Sequence, residues 1–194
     1  MYQFLESICI IDGQVQNLEL HQKRVNRTFL NYLKTEPISL SKALVEVPKV
    51  GKHKCRIVYN SHIETIDFLP YNIPSISSLK VIESENIDYA YKYLDRNSLK
   101  NAYNQRGNFD DIIISQNGLV TDSYYANLAF YDGKNWCTPT NPLLKGVKRQ
   151  KYLDSKKLVE KNILVKHINR FEKVSLINAM LNLSDLTIDI KCID

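Results

Sequence analysis

The chain has only six glycines in 194 residues, and their positions limit the folds open to it. Three follow Asp or Asn between apolar or β-prone flanks: Gly13 in IIDGQV, Gly118 in SQNGLV and Gly133 in FYDGKN. An Asp-Gly or Asn-Gly pair in such a setting is a strong short-range signal for a β-hairpin, because the favoured tight turn needs positive φ at its centre. Three antiparallel turns are therefore expected. No two glycines stand close enough for a GxGxxG or Walker-type phosphate loop, which argues against a Rossmann or P-loop nucleotide site.

Periodicity supplies the elements between the turns. Strands are expected at 2–11 (YQFLESICII), 53–60 (HKCRIVYN), 63–69 (IETIDFL) and 79–84 (LKVIES). The run DDIIIS at 110–115 reads as a strand buried on both faces, with LVTDSYYANLAFYD as its hairpin partner. A helix is expected over 19–34, with Leu18, Val25, Phe29 and Leu33 as its core stripe. His21 and Arg24 lie on that stripe or at its edge. Asn97 or Ser98 can cap a short helix reaching about Arg106, and Gly146 precedes the helical stretch VKRQKYLDSKKLVEK. Two prolines and three serines in PYNIPSISS mark a linker. The expected organisation is a small α+β domain at 1–69, a linker at 70–78 and a larger domain at 79–194.

Charge and cysteine usage narrow the partners. The net charge of +5 comes from 26 basic and 21 acidic residues, and the basic excess is densest in 145–173. No aromatic platform interleaves those lysines, so they read as a solvated helix face and no nucleic-acid partner is expected. Cys9, Cys55, Cys137 and Cys192 are scattered singly, as are the four histidines, so no metal site is expected and the thiols read as reduced. No apolar run approaches the roughly 18 residues of a membrane span, and MYQFLESICI lacks a leader pattern. A cytoplasmic protein with no membrane partner is the expectation.

Four separated segments carry a resemblance: HQKR (21–24), YKYLDR (91–96), NGLVTDSYYANLAF (117–130) and TPTNPLLKGVKR (138–149). In order and spacing they resemble the class IV aminotransferases, the fold-type IV pyridoxal-phosphate enzymes. These include branched-chain and D-amino-acid aminotransferases and aminodeoxychorismate lyases. The resemblance runs from about residue 4 to residue 182. It implies a two-domain α+β fold, a small α/β sandwich domain beside a larger β-rich domain with flanking helices. It also implies pyridoxal 5'-phosphate as cofactor and a homodimer with the active site between the domains.

The resemblance assigns roles residue by residue. Lys92 matches the lysine that joins the cofactor as a Schiff base. A free lysine, with a pKa of about 10.4, is almost fully protonated at neutral pH, so its amine needs desolvation or a nearby cation to become nucleophilic. Asp122 matches the acid that pairs with the pyridine nitrogen and keeps the ring an electron sink. The family usually has Glu there, so one methylene of reach, roughly 1.5 Å, is missing. Asn127 matches a residue supporting that strand. Arg24 matches the phosphate-binding arginine, whose planar fork suits the task. The backbone N–H groups of Val147 and Lys148 open a helix aimed at the phosphate. The family often has a hydroxyl where Lys148 stands, so only its backbone contact carries over. Asn178 in LINAML matches a last phosphate contact, and His21 reads as a satisfied core histidine. The implied activity is class IV transamination between an amino donor and a keto acid, with Lys92 moving the Cα proton. The alternatives are a lyase-type elimination that releases pyruvate and a non-catalytic cofactor-binding homologue. Arg56, Arg96, Arg149 and the tyrosines at 91, 93, 124 and 125 could bind a substrate carboxylate, though each reads first as structural.

Overall fold

A computed structural model describes residues 2–194. The chain forms two units, one made of residues up to Asn72 together with Tyr91–Asp95, the other of Ile73–Ala90 with Arg96–Asp194.

The first unit holds strands β1 (Phe4–Ile11), β2 (Gln14–Val15), β3 (Lys52–Tyr59) and β4 (Ile63–Pro70), with helices α1 (Leu18–Thr28) and α2 (Leu40–Ala43). Its sheet runs β2-β1-β3-β4, antiparallel throughout. Asp12 and Gly13, at φ 46 and 81, make the expected two-residue turn. Side chains alternate across β1, so Phe4, Glu6, Ile8 and Ile10 share the buried face. They meet Val25, Phe29 and Leu40 and the β3 residues Cys55, Ile57 and Tyr59. Burial on α1 falls on His21, Arg24, Val25 and Thr28. That i, i+3, i+4, i+7 spacing is one helical face. It is rotated from the expected stripe, since Leu18 and Leu33 are only partly buried. The helix continues as a π-helical turn over Phe29–Leu33 and stops at Lys34, φ 60. That turn brings Phe29 flat onto Tyr59, with ring centroids 5.9 Å apart.

The segment Tyr91–Asp95 was expected in the C-terminal domain but belongs to this unit. β3 fills one edge of β1, and β2 covers only Ile10–Ile11 of the other. The segment pairs with the start of that second edge, at Gln3–Leu5. Leu5 N–H donates to the Lys92 carbonyl at 3.0 Å, Leu94 N–H donates to the Gln3 carbonyl at 2.8 Å, and Phe4 pairs with Tyr93. Unpaired strand-edge groups are costly when buried, which explains why this stretch returns to β1.

The second unit holds β5 (Leu79–Glu83), α3 (Asn97–Tyr103), β6 (Asp111–Gln116), β7 (Leu119–Ser123), β8 (Asn127–Tyr131), β9 (Trp136–Pro139), α4 (Val147–Asp154), β10 (Val159–Lys161), β11 (Lys173–Ile177) and β12 (Thr187–Asp189). The strand order is β10-β9-β8-β7-β6-β5, with β11 pairing both β8 and β12. The β5–β6 and β9–β10 pairs are parallel and the rest antiparallel. Asn117 and Gly118, at φ 53 and 72, form the β6–β7 turn. Gly133, at φ 89, sits in the β8–β9 turn, where Asp132 Oδ1 accepts from the Lys134 and Asn135 N–H groups. Ile112, Ile113 and Ile114 are fully buried, as their unbroken apolar run predicts. Among the described residues no helix is long and apolar enough to cross a membrane.

Candidate active site

In the second unit the candidate residues gather around the start of α4. The β7–β8 register sets Asp122 directly opposite Asn127. Asn127 Nδ2 donates to Asp122 Oδ1 and to the Leu144 carbonyl, both at 2.7 Å. Leu144 N–H donates to Asp122 Oδ2 at 2.9 Å. Gly146, two residues on, N-caps α4 without any side-chain bond. A Cβ on Gly146 would stand 2.0 Å from Asn127 Oδ1, so this position requires glycine for space rather than for φ. Burial pushes the Asp122 pKa up to about 6, and the donors from Leu144 and Asn127 and the nearby Arg149 offset this only in part. The first-turn N–H groups of α4, including those of Val147 and Lys148, have no intrahelical acceptor. They carry the positive end of the helix dipole.

The remaining predicted residues of this unit lie close by in the chain fold. Lys148 Nζ donates to Asn182 Oδ1 at 2.7 Å, so its side chain is committed to the loop after β11. Asn178, at the start of that loop, accepts from the Met180 and Leu181 N–H groups at 2.8 and 3.0 Å. Its amide nitrogen is the part that can meet an anion. Arg149 is buried, with Nη2 donating to the Pro139 carbonyl and to Glu160.

In the first unit Arg24 and Lys92 are the candidates. Arg24 is buried, not a helix-surface cation. Its Nε donates to Glu6 Oε1 at 2.7 Å and its Nη2 to Oε2 at 2.5 Å. His21 Nδ1 lies 2.6 Å from the same Oε2. Burial alone would raise the Glu6 pKa, but Arg24 and His21 overcome it and hold the carboxyl at about 2. An ionised Glu6 only accepts, so His21 carries its proton on Nδ1. Burial lowers the His21 pKa against the pull of Glu6, and Arg24 and Lys92 add to the lowering. Lys92 is half-buried and sits in the left-handed region at φ 54. Its neighbours Tyr91 and Tyr93 both pack on Tyr32, at 5.5 and 5.9 Å between centroids. A non-glycine residue held at positive φ stores strain that the surrounding pairing must sustain.

Sequence inspection missed Glu6. The signal was present in FLESICII, because strict alternation puts Glu6 on the face of Phe4, Ile8 and Ile10. A carboxylate buried there needs a cation opposite, and Arg24 supplies it.

Comparisons with known proteins fit this arrangement. The family model for amino-transferase class IV matches residues 3–187. An uncharacterized protein of Haemophilus influenzae is 35% identical over 185 residues, covering 93% of this chain and 98% of its own. The crystal structure of a putative 4-amino-4-deoxychorismate lyase from Haemophilus somnus superposes with a TM-score of 0.88 at 33% identity, covering 94% of this chain and 98% of that one. A hypothetical aminotransferase from Mycobacterium tuberculosis, in its PLP-bound form, has a TM-score of 0.77 at 16% identity, covering 99% and 81%. At that identity the likeness is one of fold.

The family is PLP-dependent, and the donor set here suits that cofactor. An uncapped helix N-terminus accepts a phosphate. Each Asp122 oxygen takes one protein donor and keeps a lone pair for a protonated ring nitrogen. With a class IV model matching nearly its whole length, this β-rich α+β chain belongs to the class IV aminotransferase family.

Proposed function

We propose that the protein is a PLP-dependent enzyme acting on a small molecule that bears a primary amine. The observation that carries the proposal is the Asp122 cluster. A buried carboxyl whose ionised form lacks a full counter-charge is bonded to Leu144, two residues before the Gly146 that opens α4. One side therefore favours a cation and the neighbouring helix end favours an anion. A pyridinium bearing a phosphate meets both demands. When bound, the cofactor supplies an electron sink for a carbanion next to the substrate nitrogen. Lys92 is the attachment residue and then the base, taking a proton from the substrate carbon at Nζ and returning it. Asp122 holds the ring nitrogen protonated. Val147 and Lys148, through backbone N–H groups, and Arg24 and Asn178, through side chains, hold the phosphate.

Two reactions share those steps. The lyase-type elimination is supported by the 33% identical Haemophilus somnus protein, and transamination by the family model. Purified protein loaded with PLP is expected to show a visible absorption band that borohydride abolishes, with the adduct mapped to Lys92. Protein that takes up no PLP, or an adduct on another lysine, contradicts the proposal. Pyruvate release from aminodeoxychorismate without an acceptor identifies the lyase. Keto-acid formation from an amino donor identifies the transaminase.

A further inference from the structure

The turn joining Asp122 to Asn127 is gripped from outside the pair. Ser123 N–H donates to the Ala126 carbonyl at 2.9 Å and Ala126 N–H to Ser123 Oγ at 3.1 Å, closing the turn. Tyr124 is its apex. Arg96 Nη2 donates to the Tyr124 carbonyl, and the Arg96 guanidinium also lies 4.3 Å from the centre of the Tyr124 ring. The other face of that ring stacks on Tyr103 of α3, with centroids 4.3 Å apart at 22°. Arg106 closes the far side of Tyr103 at 4.0 Å. The result is a four-layer stack, Arg96–Tyr124–Tyr103–Arg106, in which two cations sandwich two rings. Buried Asp111 lies close enough to the Tyr124 N–H and the Ser123 side chain for both to favour its ionised form. The turn is thus held at the Tyr124 carbonyl by a guanidinium, with a buried carboxylate nearby.

We propose that Arg96 is a positioning residue for Asp122: through Tyr124 it fixes the Ser123–Ala126 turn, and so the Asp122–Asn127 pair, in the geometry that meets the ring nitrogen. The inference rests on the cofactor role proposed above for Asp122. Arg96 stands four residues after Lys92 in the chain, so one short stretch carries both the attachment lysine and the clamp on the nitrogen-binding acid. The clamp needs a planar fork that hydrogen-bonds a carbonyl and stacks on a ring at once, which lysine cannot provide.

The test compares wild type with Arg96→Lys, which keeps the charge, and Tyr124→Phe, which keeps the stack. Tyr124→Leu removes the stack but keeps the backbone carbonyl that Arg96 bonds. Two readouts use protein without cofactor. Amide exchange over Ser123–Asn127 is expected to rise roughly tenfold in R96K and Y124L and to stay at the wild-type level in Y124F. The Asp122 carboxyl, followed by carbon NMR, is expected to titrate near pH 6 in wild type and Y124F, and closer to the ordinary carboxylate range in R96K and Y124L, because a loosened turn admits water. The third readout is the absorption band of PLP-loaded protein, whose pH midpoint is expected to move in R96K and not in Y124F. Wild-type exchange and wild-type Asp122 titration in R96K overturn the inference. If wild type fails to take up PLP, the cofactor proposal falls, while the first two readouts still decide whether Arg96 positions Asp122.

Discussion

At the scale of single residues, Glu6 and Asp122 are buried carboxyls in opposite electrical states. Glu6 is fully buried against the Arg24 cation and is held at about 2. Its folded pKa lies below the unfolded value of 4.5, so the stability it contributes is present above about pH 4.5 and lost as pH falls through 2. Glu6→Gln leaves Arg24 buried without its counter-charge, and a loss of about 3–5 kcal/mol is expected in urea unfolding. A loss below about 1 kcal/mol contradicts the role given to the pair. Asp122 meets neutral donors and sits at about 6, above its unfolded 3.8. Its contribution is therefore full below pH 4 and lost as pH rises through 6, leaving a cost of about 3 kcal/mol for the ionised form at pH 8. Asp122→Asn is expected to stabilise cofactor-free protein at pH 8 by about 1–3 kcal/mol, with no gain at pH 4, while lowering turnover at least about a hundredfold. Melts at the two pH values and a rate measurement check both halves.

At the scale of elements, the loop into α4 is set by one close approach. Gly146→Ala pushes Asn127 aside, and Asn127 is bonded at once to Asp122 and Leu144. A destabilisation of about 2–4 kcal/mol is expected from such overpacking, together with weaker PLP binding. Calorimetry with and without cofactor measures it, and an unchanged melt rejects the tight fit. How far such elements were legible depended on how local their causes are. The three hairpins were readable from Asp12-Gly13, Asn117-Gly118 and Asp132-Gly133, because the turn signal, including positive φ at each glycine, is local to those pairs. The apolar run at Ile112–Ile114 was readable for the same reason. The Asp122–Asn127 pairing was not legible, because LVTDSYYANLAFYD reads as one strand but folds as β7 and β8 around the Ser123–Ala126 turn; nor were the bonds of both residues to Leu144, which join residues up to 22 apart in the chain. The burial of Arg24 was hidden because it depends on Glu6, 18 residues earlier. The π-helical turn at Phe29–Leu33 has no sequence signature that we recognise.

At the scale of the whole molecule, the chain passes from the second unit into the first at Tyr91 and leaves again after Asp95. No local pattern announces this, because AYKYLDR is ordinary surface composition until β1 offers it an edge. A fragment of residues 1–72 lacks the partner of Gln3–Leu5 and is expected to be markedly less stable than the same unit in the full chain. Adding the peptide 89–96 in trans should restore part of the lost protection, read by amide exchange at Leu5. A fragment as protected as the intact protein contradicts the pairing. The borrowed strand also sets a timetable for synthesis. At about 5–20 residues per second, the ribosome needs roughly one to five seconds to go from Asn72 to Asp95. During that interval the nascent first unit has every strand except the one that carries Lys92. The residue that would hold the cofactor therefore arrives as the last piece of the unit, and a newly made chain gains its attachment point only when that unit closes.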